Sequence, residues 1–400
     1  MLERLAMRKT ARIGTLGAAV GLWLVAFSAP AWGASGSFTQ GDVVVYEVGT
    51  SGGATPSSTS GPISLVEYNP SGIPSGFTVA LPTADSGSTH ALTDSGSATY
   101  DGELTLSGDG ASLIATGYDA AAGVAKITSA TGTPRTVAVV SGSGTVDTST
   151  SLSDSTTEGQ NFRSAISVSG ASLYTGGGAG IGIAGDGSTS ATYLNADAVH
   201  EVQIVGNQLY ESTTSAINQI GTGLPTATNP TKSPLIASPP AKFEPAQFAL
   251  VTVGSGSSPN TLYVADTGNN AIEKYSLVSN VWTLTGSVTA DQVTGLTASV
   301  SNGVAAVYAT AATSTGAAFN SLLISVTDSS GLDGSLTGAA VSTLVTAPTG
   351  VSFKGVAFAP TASGPPAQTP EAPSVLLLPL GGALVLGGVA AVRRRRSSAA

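Results

Sequence analysis

Three features of this 400-residue sequence predict an all-β fold, a single β-propeller of four-stranded blades closed by pairing its N- and C-terminal strands. The first is composition. Heavy use of Gly, Ser, Thr and Ala with only 10% charged residues disfavours helical bundles, which lean on Glu, Lys and Leu. The second is a short apolar mark, usually ending in tyrosine, that recurs along the middle of the chain. The third is a pair of incomplete units at the two ends of that region, each supplying what the other lacks.

The clearest unit runs from Phe248 to Val288. Phe248–Val253 is a β-type run and Gly254-Ser255-Gly256 a turn. Thr261–Ala265 is a second strand, followed by the turn formers Asp266-Thr267-Gly268-Asn269-Asn270. Ala271–Leu277 and Val281–Val288 read as third and fourth strands. Four short antiparallel strands in about 41 residues have the dimensions of one propeller blade. The segment from Leu262 to Ile272 resembles an NHL-type repeat of β-propeller proteins, with Ala271 where that family carries a basic residue.

Weaker copies of the second strand occur at Val44-Val45-Tyr46, Leu113-Ile114-Ala115, Leu173-Tyr174, Leu209-Tyr210 and Val307-Tyr308. First strands precede four of them, at Glu103–Ser107, Ser164–Val168, Glu201–Val205 and Leu296–Ser301. The copy at Tyr46 has no such partner before it, and Phe353–Phe358 resembles a first strand with nothing after it. Pairing these two ends would close a ring and remove exposed sheet edges. Six second-strand marks imply six blades, with spacings of 36 to 68 residues that leave room for a seventh. A pair of β-sandwiches is the rival architecture, since strands with turn signals every ~10 residues fit it too. Terminal complementarity favours the propeller.

The flanks carry addresses. Arg4, Arg8, Lys9 and Arg12 precede an apolar run from Ile13 to Phe27, and Ala29-Pro30-Ala31 supplies small residues for signal peptidase, with Gly33 an alternative end. The expected organisation is a signal peptide over 1–31, a propeller over 38–360, a Pro/Ser/Ala linker and sorting motif over 361–374, a transmembrane helix over 375–392 and a cytoplasmic tail over 393–400. Eighteen uncharged residues from Val375 to Val392 make about 27 Å of helix, close to a ~30 Å hydrocarbon core. Arg393, Arg394, Arg395 and Arg396 mark the cytoplasmic end. Pro370, Glu371 and Pro373, the apolar run and the arginines together resemble the PEP-CTERM sorting signal, with Ala372 interrupting that family's Pro-Glu-Pro. The resemblance implies export machinery and an exosortase-like enzyme as partners.

There is no cysteine, so the exported part has neither disulfide staples nor thiolate chemistry and must stand on its core. Residues 32–392 hold seven basic against 23 acidic residues, a net charge of −16. That balance argues against nucleic acid as a partner, which needs basic patches.

Candidate ligand-binding residues lie in the connections expected on one face of the ring. Thr83–Asp101 contains Asp85, His90 and Asp94. Ser141–Gln160 contains Asp147 and Asp154. Asp119 and Asp266 open turns between second and third strands. Asp in such Ser/Gly-rich stretches also serves simply to cap turns. Asp328–Asp333 lacks the ligand alternation of a calcium loop, though a shared calcium site stays open.

Enzyme signals are thin. No zinc-type histidine pair occurs. Gly49-Thr50-Ser51-Gly52-Gly53 has the letters of a nucleophile elbow without the helix that should follow. Gly176–Gly178 and Gly180–Gly185 lack the Lys-Ser/Thr of a phosphate loop and read as turns. His200, at a strand start, reads as packed. Tyr46, Tyr174, Tyr210, Tyr263 and Tyr308 recur at one blade position and read as packing residues. His90 is the one general-base candidate with carboxylates close in sequence. The expected function is non-enzymatic binding or display at the cell surface, without a resident cofactor. The alternative is an exported hydrolase or lyase with a cation on the loop face.

Overall fold

The last strand pairs with the first, and this decides the architecture. In the computed structural model, which describes residues 36–154, 156, 159–314 and 318–361, β25 (Val351–Phe358) lies antiparallel to β1 (Val43–Gly49). Val45 faces Val356 and Val43 faces Phe358. From β1 the sheet continues to β2 (Ser60–Tyr68) and β3 (Pro74–Ala80). The second, third and fourth strands of this unit thus come from the N-terminal side and its first from the C-terminal side.

Further four-stranded antiparallel units follow. One comprises β5 (Thr105–Leu106), β6 (Ser112–Tyr118), β7 (Arg135–Ser141) and β8 (Val146–Leu152). A short strand, β4 (Thr93–Ser95), pairs with both β2 and β6, so this unit and the closing one are hydrogen-bonded into a nine-stranded sheet. Four separate four-stranded sheets complete the described part of the chain. They are β9 (Phe162–Ser167) to β12 (Thr192–Tyr193), with β10 (Ser172–Gly177) and β11 (Gly182–Gly185) between, and β13 (Val199–Val205), β14 (Gln208–Thr213), β15 (Ile217–Ile220) and β16 (Lys232–Pro234). Next come β17 (Pro245–Val251), β18 (Thr261–Asp266), β19 (Ala271–Val278) and β20 (Val281–Thr289), then β21 (Leu296–Ser301), β22 (Val304–Ala311), β23 (Leu322–Asp328) and β24 (Val341–Thr346). Among the described residues the one helical turn is a 3-10 turn at Ile127–Ser129.

The first strands touch one another in a closed cycle, β5 to β9, β13, β17, β21, β25 and back to β5. That cycle is the inner wall of a β-propeller, and it excludes two separate sandwiches. Apolar clusters fill the gaps between successive sheets. Val44, Tyr46 and Leu65 meet Leu104, Leu113 and Ala138 on one side of β1. Val43 and Val45 meet Tyr308, Leu323 and Phe353 on the other. Period-2 alternation in β1 therefore buries both faces, which is why its sequence Val43-Val44-Val45-Tyr46 is an unbroken apolar run.

The second strands all lie where their marks predict, in β1, β6, β10, β14, β18 and β22. The two stretches expected as connections each contain a strand instead: β4 within Thr83–Asp101 and β8 within Ser141–Gln160. The glycine cluster expected as turns also folds largely as strand, with Gly176 and Gly177 ending β10 and Gly182–Gly185 forming β11. A Cβ at Gly177 would overlap the Asn161 carbonyl, so close strand approach explains the glycine.

Among the described residues no helix is long and apolar enough to cross a membrane. The expected signal peptide, sorting motif, transmembrane helix and arginine tail lie outside the described residues.

Candidate functional site

Asp85, His90 and Asp119 come together, each offering a ligand atom within 4.8 Å of the others. Asp119 follows β6 directly, and its backbone N–H donates to Pro134 O at 2.9 Å. The stretch bearing Asp85 and His90 leaves β3 and is clipped to the outer strand β8. His90 N–H donates to Thr148, and the Thr148 hydroxyl donates back to His90 O at 2.8 Å. His90 Nδ1 stands 2.9 Å from Asp119 Oδ2, as an ion contact without hydrogen-bond alignment. Ser151 donates to the same carboxylate oxygen at 2.8 Å, and Ala91 N–H donates to Asp85 Oδ1 at 2.9 Å. Burial holds the Asp119 carboxyl above its ordinary value, reinforced by the neighbouring Asp85 and opposed by Ser151 and His90. The cluster sits beside an outer strand, away from the inner wall.

The other predicted acids are elsewhere. Asp94, on β4, is fully buried and accepts hydrogen bonds from Ser95 N–H at 2.7 Å and the Tyr46 hydroxyl at 3.2 Å. Asp147 accepts from Ser149 N–H at 2.8 Å, near the start of β8. Asp154 accepts from Thr156 and Ala191 N–H. Asp266, at the end of β18, accepts from Glu244 and Asn269 N–H at 3.0 and 3.2 Å. These are the bonds of Asx turns and strand ends. His200 is buried, its Nδ1 2.8 Å from Pro245 O and its ring stacked on Tyr100 at 3.8 Å. Burial pushes it down to about 4, so it stays neutral.

Sequence reasoning pointed to the central channel but did not anticipate which residues meet at the axis of the ring. The first strands and the residues leading into them bring Glu103, Arg163, Glu201, Gln247, Gly295 and Lys354 to corresponding positions around it. Gln247 is the crosspiece. Its Nε2 donates to Leu104 O at 2.9 Å and to Glu201 Oε1 at 3.0 Å, and its Oε1 accepts from Leu296 N–H at 3.0 Å and Val356 N–H at 3.1 Å. One side chain thereby ties β17 to β13, β21, β25 and the β5 unit.

On one side of that crosspiece the segment Gly96–Gly102 lies over the axis. Tyr100 reaches Thr267, hydroxyl to hydroxyl at 2.9 Å, Lys354 Nζ donates to Ala98 O, and Gly355 N–H donates to Gly102 O at 2.9 Å. On the other side a cavity of about 200 Å³ opens between Leu106, Val205, Val251, Ala298 and Phe358. Burial pushes the Glu201 carboxyl up to about 8 and raises Glu103 and Asp94 well above their ordinary values. One signal was readable: each inner-strand segment carries a polar residue or glycine at the same place, as in Glu103-Leu104, Glu201-Val202, Gln247-Phe248 and Lys354-Gly355.

No family model matches this chain, and no curated protein does. Among solved structures, a chain from a nidogen/laminin complex is 12% identical, covering 80% of this chain and 98% of that one at a TM-score of 0.45. A candidate 6-phosphogluconolactonase from Bacteroides uniformis is 13% identical over 78% of this chain and 84% of its own, at a TM-score of 0.43. The β-propeller domain of Cps50 (Swd1) from Myceliophteria thermophila is 14% identical over 60% and 70%, at 0.37. Likeness at this level carries no functional argument, and the fold assignment rests on the strand pairing and the closed cycle of inner strands.

Proposed function

We propose that the chain is an exported, envelope-tethered β-propeller of six blades that binds or displays and does not catalyse. The blade count is supported by reading the nine-stranded sheet as two blades, β25-β1-β2-β3 and β5-β6-β7-β8, stitched by β4. One apolar cluster then falls at each of six blade interfaces. The Leu262–Ile272 stretch that resembles an NHL-type repeat falls on β18 and the start of β19. Export and tethering rest on the sequence pattern of the two ends, with signal peptidase, an exosortase-like enzyme and the membrane as partners. Native protein should begin after Ala31 or Gly33 in mass spectrometry, and an intact Met1 would overturn export by cleavage.

The observation that carries the non-enzymatic reading is how the predicted acids are used. Asp94, Asp147, Asp154 and Asp266 spend their oxygens on turn, strand-end and core hydrogen bonds. Segment Gly96–Gly102 also covers the axis where a propeller ligand would be sought. Purified protein assayed against ester, lactone, glycoside and phosphomonoester substrates should show no turnover above background. Turnover lost in Asp119→Asn would instead favour the second reading, an exported hydrolase or lyase using a cation at Asp85, His90 and Asp119. The favouring observation is their 4.8 Å grouping with a buried His90 Nδ1 that makes no aligned hydrogen bond. There the carboxylates and imidazole would hold the ion, and the ion would polarise a bound oxygen.

A further inference from the structure

Glu103 is buried to 1% exposure, and both of its carboxylate oxygens lack a hydrogen-bond partner. A buried carboxylate without donors is among the costliest groups a fold can carry. The charges it feels come from several sheets: Glu201 from β13, Lys354 from β25, Arg163 from β9, and Asp101 from the covering segment. Only a side chain near the axis has neighbours on so many sides. Asp94 and Asp101 join the same group through Lys354.

Of their other buried polar atoms, Arg163 Nε alone lacks a partner. Asp101 accepts from the Tyr118 hydroxyl at 2.7 Å and from Asn161 Nδ2 at 2.9 Å. Arg163 donates to Val199 O at 2.9 Å, and Lys354 donates to Ala98 O. Glu201 accepts from Gln203, Gln247 and Phe248 N–H. His200, beneath Tyr100, adds no positive charge while neutral. Four carboxyl groups thus face two cations, and the fully ionised group would carry a charge of −2. Glu103 alone has both oxygens free.

We propose that the axis of the ring is a binding site for one divalent cation of the hard, oxygen-preferring kind, represented by calcium, with Glu103 as its principal ligand and Glu201 as the second carboxylate. A 2+ ion cancels the excess charge and supplies the missing partner of Glu103. Oxygen donors without thiolate or an available imidazole suit calcium or magnesium over zinc or copper. Without the ion, two protons complete the same charge balance. Calcium and protons therefore compete for the site, and burial of Glu103 and Glu201 favours the protonated form when it is empty. The covering segment Gly96–Gly102 makes entry and exit slow.

The test uses the full chain, stripped with chelator and then dialysed against calcium at pH 6 and pH 8. The expected result is one tightly held ion per chain by elemental analysis at pH 8, a raised Tm, and at least 10-fold weaker binding at pH 6. Adding calcium at pH 7 should release protons. Glu103→Gln, whose amide mimics the protonated acid, should fold and lose the ion, whereas Asp119→Asn should keep it. No bound ion at pH 8, or an ion kept by Glu103→Gln and lost in Asp119→Asn, would overturn the proposal, the latter result placing the cation at the outer cluster. Should Glu103→Gln fail to fold, Asp119→Asn decides: loss of the ion in that variant counts against the axial site.

Discussion

Glu47 shows what burial does to a single carboxyl in this ring. It stands on β1 between two sheets and accepts the Tyr68 hydroxyl at 2.7 Å. Burial pushes it up to about 7, against an ordinary value of 4.5. Folding therefore takes up a proton between those limits. The stability this group contributes is intact below about pH 4.5 and is lost as pH rises through about 7, by up to about 3 kcal/mol. Glu47→Gln is neutral throughout, so its Tm relative to wild type should rise between pH 5 and pH 8. Parallel Tm curves would show that Glu47 titrates as an ordinary glutamate. His200 acts in the opposite direction. Its value is lowered to about 4, so its contribution is present above about pH 6.5 and lost as pH falls through 4. His200→Gln should flatten the acid limb of the same curve.

At the scale of elements, β25 joins the ring by burial and by backbone pairing together. Val351, Phe353 and Val356 are nearly fully buried on it, worth together about 5–9 kcal/mol at ~1.5–3 each. That is comparable with the ~5–15 kcal/mol margin of a typical domain. A chain ending at Gly350 should aggregate or melt far below one ending at Thr361, and equal Tm values would remove the closure argument. Gly355 marks where β25 meets the next unit, because a Cβ there would overlap the Leu104 nitrogen. Gly355→Ala should cost more than about 2 kcal/mol in urea unfolding, whereas Gly254→Ala, on an open turn, should cost less. Strands such as β1 and β18 were legible because both faces are buried and their apolar runs are continuous. The outer strands β8 and β16 were not, although the outer strand β20 was. β8, Val146–Leu152, reads Val-Asp-Thr-Ser-Thr-Ser-Leu, with only its two end residues apolar, and β16 reads Lys-Ser-Pro, so neither carries the apolar pattern of a strand. The candidate residues show the same limit. Asp85, His90 and Asp119 could each be singled out, but their meeting depends on β8 clipping the His90 segment, and that strand was hidden. Glu103 and Gln247 were passed over as polar positions within strands, because only ring closure turns such positions toward a shared axis.

For the molecule as a whole, closure makes the starting point of the chain arbitrary. The described ends meet around one spot. Phe38 N–H donates to Gly142 O, Thr361 N–H donates to Gly110 O, and Gly142 N–H donates to Ala111 O. Ala359 N–H also donates to Asp42 O at 2.9 Å. A short Gly/Ser linker can therefore join residue 361 to residue 36 without crossing the ring. New ends can open in the exposed stretch Gly254–Ser258 between β17 and β18, a loop tip of the sort that tolerates breaks. In that permutant β25 and β1 become consecutive strands, while the sheet of β17 and β18 becomes the one completed from both ends. If the ring is the cooperative unit, the permutant should keep the β-sheet circular dichroism of the parent and melt in a single transition within about 10 °C of it. Two separated transitions would mean that the sheets unfold as independent groups, and closure would then be a contact between finished parts, not the step that completes the fold.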